Sequence, residues 1–193
     1  MNAIRDINSL ELFGNGRVFA CDVYFPRQHK EHWHSAWSQA IWKVKERNSW
    51  ALDHCAHVIA ELWRDSITIT RPSVITFVPP ERAIPHQRSA MELLAQALFR
   101  TLSDTHEVSL ERLLRVVKPK ERKQHQCTSQ WQRRENVRGC FAVTQPQLVA
   151  GKTVIVVDDV ITSGATMREC QKVLLQAGAS DVIGFVLART IGW

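Results

Sequence analysis

The chain of 193 residues lacks the features of membrane, secreted and disulfide-rich proteins. No apolar run approaches the ~20 residues that a transmembrane helix needs, so we expect no membrane span. The first residues, MNAIRDINSL, have no basic stretch followed by an apolar one, so we expect no secretory signal. The five cysteines are odd in number and widely scattered, which argues against a disulfide framework. Together these absences predict a cytoplasmic protein.

Two common binding motifs are also missing. The chain has no Gly-x-x-x-x-Gly-Lys-Ser/Thr sequence, which excludes a P-loop nucleotide site. It has no paired cysteines at zinc-binding spacings, and its two histidine-rich stretches, 29–34 and 54–57, fit no common zinc template. We therefore expect no zinc site.

The most informative segment that is present is Val154–Thr166, with the sequence VIVVDDVITSGAT. Its four β-branched apolar residues predict a strand buried on both faces, as in a parallel sheet. A helix is predicted over Met167–Gln176, and a second strand over Asp181–Leu187. The result is a β-loop-α-β unit, in which ligands bind at the carboxyl ends of the strands.

The loop of this unit has the composition of a phosphate site. Gly164 permits a backbone that turns its N–H groups inward, and the following helix adds the positive end of its dipole. Thr162, Ser163 and Thr166 add hydroxyl donors. This combination predicts a pocket for a phosphate dianion.

Two adjacent carboxylates, Asp158 and Asp159, stand directly before this loop. They would repel a phosphate in contact with them, but they suit hydrogen bonds from sugar hydroxyls or a divalent cation held through water. Phosphate on one side and vicinal hydroxyls on the other describe a ribose 5-phosphate.

Val154–Thr166 resembles, at every position, the 5-phosphoribosyl-1-pyrophosphate signature of type I phosphoribosyltransferases. Receiver-like domains share the strand and two aspartates but lack the Thr-Ser-Gly-Ala-Thr continuation. The likeness extends towards the ComF-type branch over about Val74–Thr190. The segments that carry it are Val78-Pro79, Glu92–Ala95, Leu113–Pro119, Arg133–Val143 and Leu187–Thr190. The chain differs from that branch in lacking a zinc module, and His86–Ala90 replaces an Arg-Gly-Phe-Asn stretch.

The resemblance implies an α/β fold of the type I phosphoribosyltransferase kind, Rossmann-like, with a parallel sheet and helices on both faces. We expect a single domain with a small N-terminal hood and helices in residues 1–70 and a core in 71–193. The implied reaction transfers the phosphoribosyl group of 5-phosphoribosyl-1-pyrophosphate (PRPP) to a nitrogenous base and releases pyrophosphate. Asp158 and Asp159 would hold the ribose hydroxyls or the waters of Mg²⁺, and Thr162, Ser163, Gly164, Ala165 and Thr166 would bind the 5-phosphate. The alternative is a non-catalytic homologue that acts as a regulator or a DNA-associated protein.

The positive charge is concentrated in residues 111–138, which hold nine Lys or Arg against three Glu and so account for the net charge of +6. Residues 118–129 are poor in apolar side chains and predict a flexible loop. Three interpretations are open: a catalytic lid over pyrophosphate, a solvated surface loop, or a nucleic-acid-binding arm. The candidate pyrophosphate ligands are Arg82, Arg88, Lys120, Arg122 and Lys123, although Arg82 and Arg88 are equally compatible with ordinary surface arginines.

The first half of the chain predicts supporting elements. Apolar spacing predicts a helix over Glu31–Lys45 and a second helix with Ser49 as its N-cap. Val18–Phe25 is predicted as a strand of the hood. A first parallel strand over Val74–Val78 and a helix from Ser89 or Ala90 to Leu102 are also predicted. The tryptophan-rich first half could supply the surface of a homodimer.

Overall fold

A computed structural model describes residues 5–6, 17–66, 72–82, 84–119, 127 and 129–190. The strands are β1 (Arg5–Asp6), β2 (Arg17–Tyr24), β3 (Ser73–Phe77), β4 (Val108–Leu110), β5 (Leu114–Val116), β6 (Phe141–Val143), β7 (Thr153–Ile161) and β8 (Asp181–Thr190). The α-helices are α1 (Ala36–Lys45), α2 (Ser49–Ser66), α3 (Ala90–Leu102), α4 (Gln130–Val137) and α5 (Ala165–Gln176). None of these described helices is long and apolar enough to cross a membrane.

The main sheet has six strands in the order β1-β2-β8-β7-β3-β4. All neighbouring pairs are parallel except β1 with β2. Strands β5 and β6 form a separate antiparallel pair. The predicted α/β fold with a parallel sheet is therefore confirmed.

Helices cover both faces of this sheet. Along β7, Ile155 and Val157 belong to the apolar cluster that contains α1, α2 and α3. Val154 and Val156 belong to the cluster that contains α5. Alternate residues of a strand point to opposite faces, so the run of apolar residues in β7 reflects burial on both sides.

The prediction that Val18–Phe25 forms a hood strand is wrong. This segment is β2, and it pairs with β8 inside the main sheet, where Val18 lies opposite Gly184. The reason is its burial on both faces: Val18 and Ala20 pack on the α5 side, and Phe19 packs on the other. An apolar strand with two buried faces needs a neighbour in the sheet.

Three predicted boundaries shift, two of them because of local capping hydrogen bonds and the third because β7 stays paired with β8. The helix expected over Glu31–Lys45 divides into a 3₁₀ turn at Lys30–Trp33 and α1, because the side chain of Ser35 caps α1 by accepting from Ser38 N–H at 3.1 Å. Asn48, and not Ser49, caps α2 by accepting from Ala51 N–H at 3.1 Å. Strand β7 continues through both aspartates to Ile161.

Gly184 of β8 lies where β2 and α5 approach closely. A Cβ atom at this position would stand 2.9 Å from Met167 Sδ and 3.1 Å from Val18 Cγ2. We expect Gly184→Ala to lower the free energy of unfolding by about 1–3 kcal/mol through overpacking. Urea denaturation measures this loss, which should be smaller in a Met167→Ala background. An unchanged unfolding midpoint would show that the packing here is loose.

Candidate functional site

The site lies where the chain connections of the sheet diverge. Strand β3 continues through α3 to β4 at one edge, whereas β7 continues through α5 to β8 in the opposite direction. Such a switch point opens a crevice between the carboxyl ends of the two central strands. The loop after β7 and the loop after β3 border this crevice.

The loop after β7 forms an anion cup, which we define as Thr162–Thr166 together with Arg133 and Asp158. Gly164 adopts the left-handed conformation with φ of 72°, and α5 begins at the next residue. A cavity of about 70 Å³ lies inside the cup. This volume is several times the ~10–15 Å³ that a cavity needs to hold one water molecule, so a single phosphate group fits. The predicted 5-phosphate residues are therefore brought together.

A side chain of α5 supports the conformation of the cup. The guanidinium of Arg168 in α5 donates to the carbonyl of Ser163. Ser163 is buried, whereas Thr162 and Thr166 are partly exposed. We infer that Ser163 fixes the loop and that the two threonine hydroxyls are the more accessible donors.

Arg133 adds a cation that was not among the predicted ligands. It lies on α4, its side chain lines the cup, and it is only 4% exposed. Its Nε donates to the carbonyl of Cys127 at 3.3 Å, which helps to orient the guanidinium. A buried cation beside a helix N-terminus favours an anionic ligand. Its place in the ComF-like segment Arg133–Val143 was the one sequence signal that pointed to it.

The two aspartates do not converge, because they are consecutive residues of β7 and point to opposite faces. Asp158 lines the anion cup. Asp159 points towards α1, where its Oδ2 lies 3.1 Å from Lys45 Nζ. The two carboxylates therefore lie on opposite faces of the sheet, near the carboxyl end of β7.

Lys45 is a second residue that the sequence did not single out. Burial opposes its charge, but the nearby carboxylate of Asp159, together with Tyr24 and Asp158, outweighs this and raises the pKa of Lys45. Its Nζ also lies 5.4 Å from the centre of the Tyr24 ring. Lys45 thus stays protonated at neutral pH, and the stability that its raised pKa contributes is lost as pH rises above the ordinary lysine value and through the raised one. With side chains 39% and 27% exposed, the pair contributes about 1 kcal/mol or less.

A larger cleft of about 820 Å³ lies beside the loop after β3 and the β5–β6 pair. Arg88, one of the candidate pyrophosphate ligands, lines this cleft, and so do Arg112 and Arg115. Two of these arginines pair with Glu92: its Oε1 lies 3.8 Å from Arg88 Nε and 2.5 Å from Arg112 Nη2. Arg82 is exposed and does not line this cleft. Lys120, Arg122 and Lys123 lie outside the described residues.

The described residues contain no group of three His, Cys, Asp or Glu side chains able to hold a metal ion. Asp158 lines the anion cup, and Asp159 follows it in β7, where Lys45 already neutralises its charge. Mg²⁺ is commonly held by one or two carboxylates plus substrate oxygens and water. The residues present fit only a cation of that kind, which the substrate itself would largely coordinate.

A parallel sheet with a glycine-bent anion cup at its switch point defines a class of proteins that bind phosphorylated ligands. Residues 47–191 match the family profile described as phosphoribosyl transferase domain. The chain belongs to this family, and the membership predicted from Val154–Thr166 is confirmed.

Curated relatives match over shorter stretches. The DNA utilization protein YhgH of Escherichia coli O157:H7 is 39% identical over 59 residues, which are 31% of this chain and 25% of that protein. Ribose-phosphate pyrophosphokinase 4 of Oryza sativa subsp. japonica is 53% identical over 36 residues, 19% of this chain and 11% of that protein. The matched stretches thus span about a quarter or less of the length of these curated relatives. The partial match to YhgH agrees with the ComF-type resemblance.

Among solved structures, the allosteric regulatory enzyme of purine biosynthesis is similar at 22% identity. The match covers 70% of this chain and 26% of that one, with a TM-score of 0.45. An asparagine mutant of HPRT, altered at an invariant aspartic acid, is 15% identical over 77% of this chain and 67% of its own, also with a TM-score of 0.45.

Proposed function

We propose that this protein binds PRPP and transfers its phosphoribosyl group to a nitrogenous base, with release of pyrophosphate. The observation that carries this proposal is the anion cup at the switch point, with a carboxylate on each side of the strand that leads into it. The cup suits the negatively charged phosphate of a ribose 5-phosphate, and the neighbouring carboxylates suit the sugar hydroxyls beside it.

The 5-phosphate would occupy the cup. The backbone N–H groups at the start of α5, the hydroxyls of Thr162 and Thr166, and the Arg133 guanidinium all offer donors to its oxygens. Binding energy gained at this remote group would hold the anomeric carbon in a fixed position, which lowers the entropy cost of reaction.

The ribose hydroxyls would donate to Asp158 and Asp159. Asp159 reaches them by exchanging its contact with Lys45 for contacts with the sugar, a small cost for a partly exposed ion pair. Mg²⁺, when bound, would neutralise the pyrophosphate, and these two carboxylates would hold its waters. No protein nucleophile is required, because the sugar's bond to pyrophosphate loosens as positive charge develops on the ring.

The leaving group would lie towards the cleft beside the loop after β3. Arg88, Arg112 and Arg115 line that cleft, and their charges favour pyrophosphate over neutral ligands. Lys120, Arg122 and Lys123 stay candidates for a lid from the sequence alone. The acceptor base would lie on the opposite side, towards Tyr24 and Lys45.

Release of pyrophosphate from PRPP in the presence of Mg²⁺ and a panel of purine and pyrimidine bases tests the transfer reaction. The proposal predicts release that depends on one base or a small group of bases. If pyrophosphate release does not depend on any base and is no faster than release by the Asp159→Asn variant, no transfer takes place.

A second candidate is a regulator or DNA-associated protein that has kept the sugar-phosphate site as a sensor. It is supported by the name of the E. coli relatives, DNA utilization protein, and by the concentration of positive charge in residues 111–138. Salt-sensitive binding to DNA or RNA without turnover would favour this candidate over the enzyme.

Replacing Arg133 by methionine, which keeps much of its volume, should weaken ribose 5-phosphate binding by roughly 10- to 150-fold. The expected loss corresponds to one charge-assisted hydrogen bond of about 1.5–3 kcal/mol. Calorimetry measures the affinity, and Arg134→Met, at the exposed neighbouring position, is the matched control. Equal affinities for the two variants would remove Arg133 from the site.

A further inference from the structure

Two tryptophans of the N-terminal region keep more than half of their surface in solvent, and a third lies beside them. Trp33 is 59% exposed and Trp50 is 60% exposed, while Trp42 on α1 is partly buried. Indoles are among the largest apolar side chains, so leaving two of them in water forgoes considerable burial. Clustered exposure of this kind marks an interaction surface.

A cation lies over the ring of each of these tryptophans. The guanidinium of Arg27 lies 4.5 Å from the ring centre of Trp42 and 5.5 Å from that of Trp33. Lys43 Nζ lies 5.7 Å from the ring centre of Trp50. The contacts hold each indole beside a positive charge and limit its rotation.

The fold arranges these residues as a strip across α1. The buried stripe of α1, which includes Ile41 and Val44, faces the core and leaves the opposite face outward. Trp42 and Lys43 flank that outer face, since consecutive helical residues are separated by about 100°. Arg27 connects Trp42 to Trp33, and Lys43 connects α1 to Trp50, whose ring stacks on His54 with the ring centres 5.1 Å apart.

The charge of the strip is positive. Its exposed cations are Arg27, Lys30, Lys43 and Arg47. Lys45 pairs with Asp159, and Asp53 pairs with Arg100, so neither changes this balance. The remaining acids of residues 27–54 are Glu31, which is partly exposed, and Glu46, whose carboxylate accepts a hydrogen bond from the Trp42 indole at 2.8 Å. The strip therefore carries four positive charges and two negative ones.

We propose that this aromatic strip binds single-stranded nucleic acid. Unpaired bases would stack on the Trp33 indole and, by displacing the stacked His54, on that of Trp50, and the sugar-phosphate backbone would contact the flanking lysines and arginines. Both parts are needed: an apolar peptide would not use the cations, and duplex DNA keeps its bases stacked on one another. The ligand class is that of the second candidate function, but the surface is different from residues 111–138, and it does not depend on transferase activity.

Fluorescence anisotropy with a labelled oligothymidylate of about 12 nucleotides, within the ~4–16 that single binding folds cover, tests the proposal. Trp33→Ala should weaken binding roughly tenfold, the size of one lost base–aromatic stack, and Trp33→Phe should recover part of it. The matched control is Trp131→Ala, because Trp131 is 69% exposed on α4 and belongs to the basic segment. Arg27→Gln should reduce the salt dependence of binding.

The proposal is overturned if wild-type protein does not bind the oligonucleotide at low salt, or if duplex of the same length binds equally well. It is also overturned if the loss appears in Trp131→Ala and not in Trp33→Ala, which would place the strand on residues 111–138. Calorimetry with ribose 5-phosphate on Trp33→Ala should give wild-type affinity, so failure of this proposal and failure of the transferase proposal are separable.

Discussion

Replacing Gly164 by valine is expected to lower the affinity for ribose 5-phosphate about 100-fold, which corresponds to ~2.7 kcal/mol. Gly164 has a φ of 72°, a conformation that a β-branched residue avoids. Valine would force the loop to relax, and the N–H groups at the start of α5 would turn away from the phosphate. Two charge-assisted hydrogen bonds lost in this way account for the expected effect. Calorimetry with ribose 5-phosphate is the measurement.

Gly151→Val is the matched control for this prediction. Gly151 also has a φ of 72°, and it lies just before β7, at the end of that strand opposite to the cup. Both substitutions impose the same backbone strain, and the buried position of Gly164 adds packing strain, so thermal unfolding of both variants is measured beside the affinity. If Gly151→Val weakens ligand binding as much as Gly164→Val, the loss comes from destabilisation and not from the geometry of the cup.

Replacing Asp159 by asparagine is expected to weaken ribose 5-phosphate binding by at least tenfold while the fold is retained. The substitution removes a charged acceptor for the sugar hydroxyls, an interaction of about 1.5–3 kcal/mol. Thermal unfolding should change little, because the ion pair with Lys45 is partly exposed. Unchanged affinity would remove Asp159 from the sugar site.

Asp181→Asn provides a closely matched control. Asp181 is 29% exposed, lies 3.8 Å from Arg17, and accepts the N–H of the next residue, as Asp159 does. It lies at the start of β8, at the amino ends of the parallel strands and away from the cup, so its loss should not affect ligand binding. A second variant, Lys45→Met, separates two causes. It leaves the Asp159 carboxylate in place, so binding should be retained or tightened; a loss equal to that of Asp159→Asn would mean that Lys45 itself contacts the ligand.

The unit β7-loop-α5-β8 could be predicted from sequence because its determinants are local. Four consecutive β-branched residues specify the buried strand, and Gly164 with its hydroxyl-bearing neighbours specifies the turn. The loop residues of the cup, Thr162–Thr166, are contiguous, so no long-range contact had to be known to place them. The same holds for α3, whose N-cap Ser89 accepts from Glu92 N–H at 3.1 Å.

The rest of the site depends on contacts between distant parts of the chain. Lys45 meets Asp159 only because β2 enters the main sheet and brings α1 over the carboxyl end of β7. Arg133 lies in a polar helix with no apolar periodicity that would predict its burial. The opposite orientation of Asp158 and Asp159 follows from strand alternation, but only once β7 is known to continue through them.

The central claim is that the anion cup recognises the phosphate of a phosphorylated pentose. Calorimetric titration of the wild-type protein with ribose 5-phosphate, ribose and inorganic phosphate tests it most directly. The account predicts that ribose 5-phosphate binds at least tenfold more tightly than either fragment, because the cup and the carboxylates act on the same molecule. Affinity for ribose 5-phosphate no greater than that for phosphate alone, or no binding at all, would contradict it.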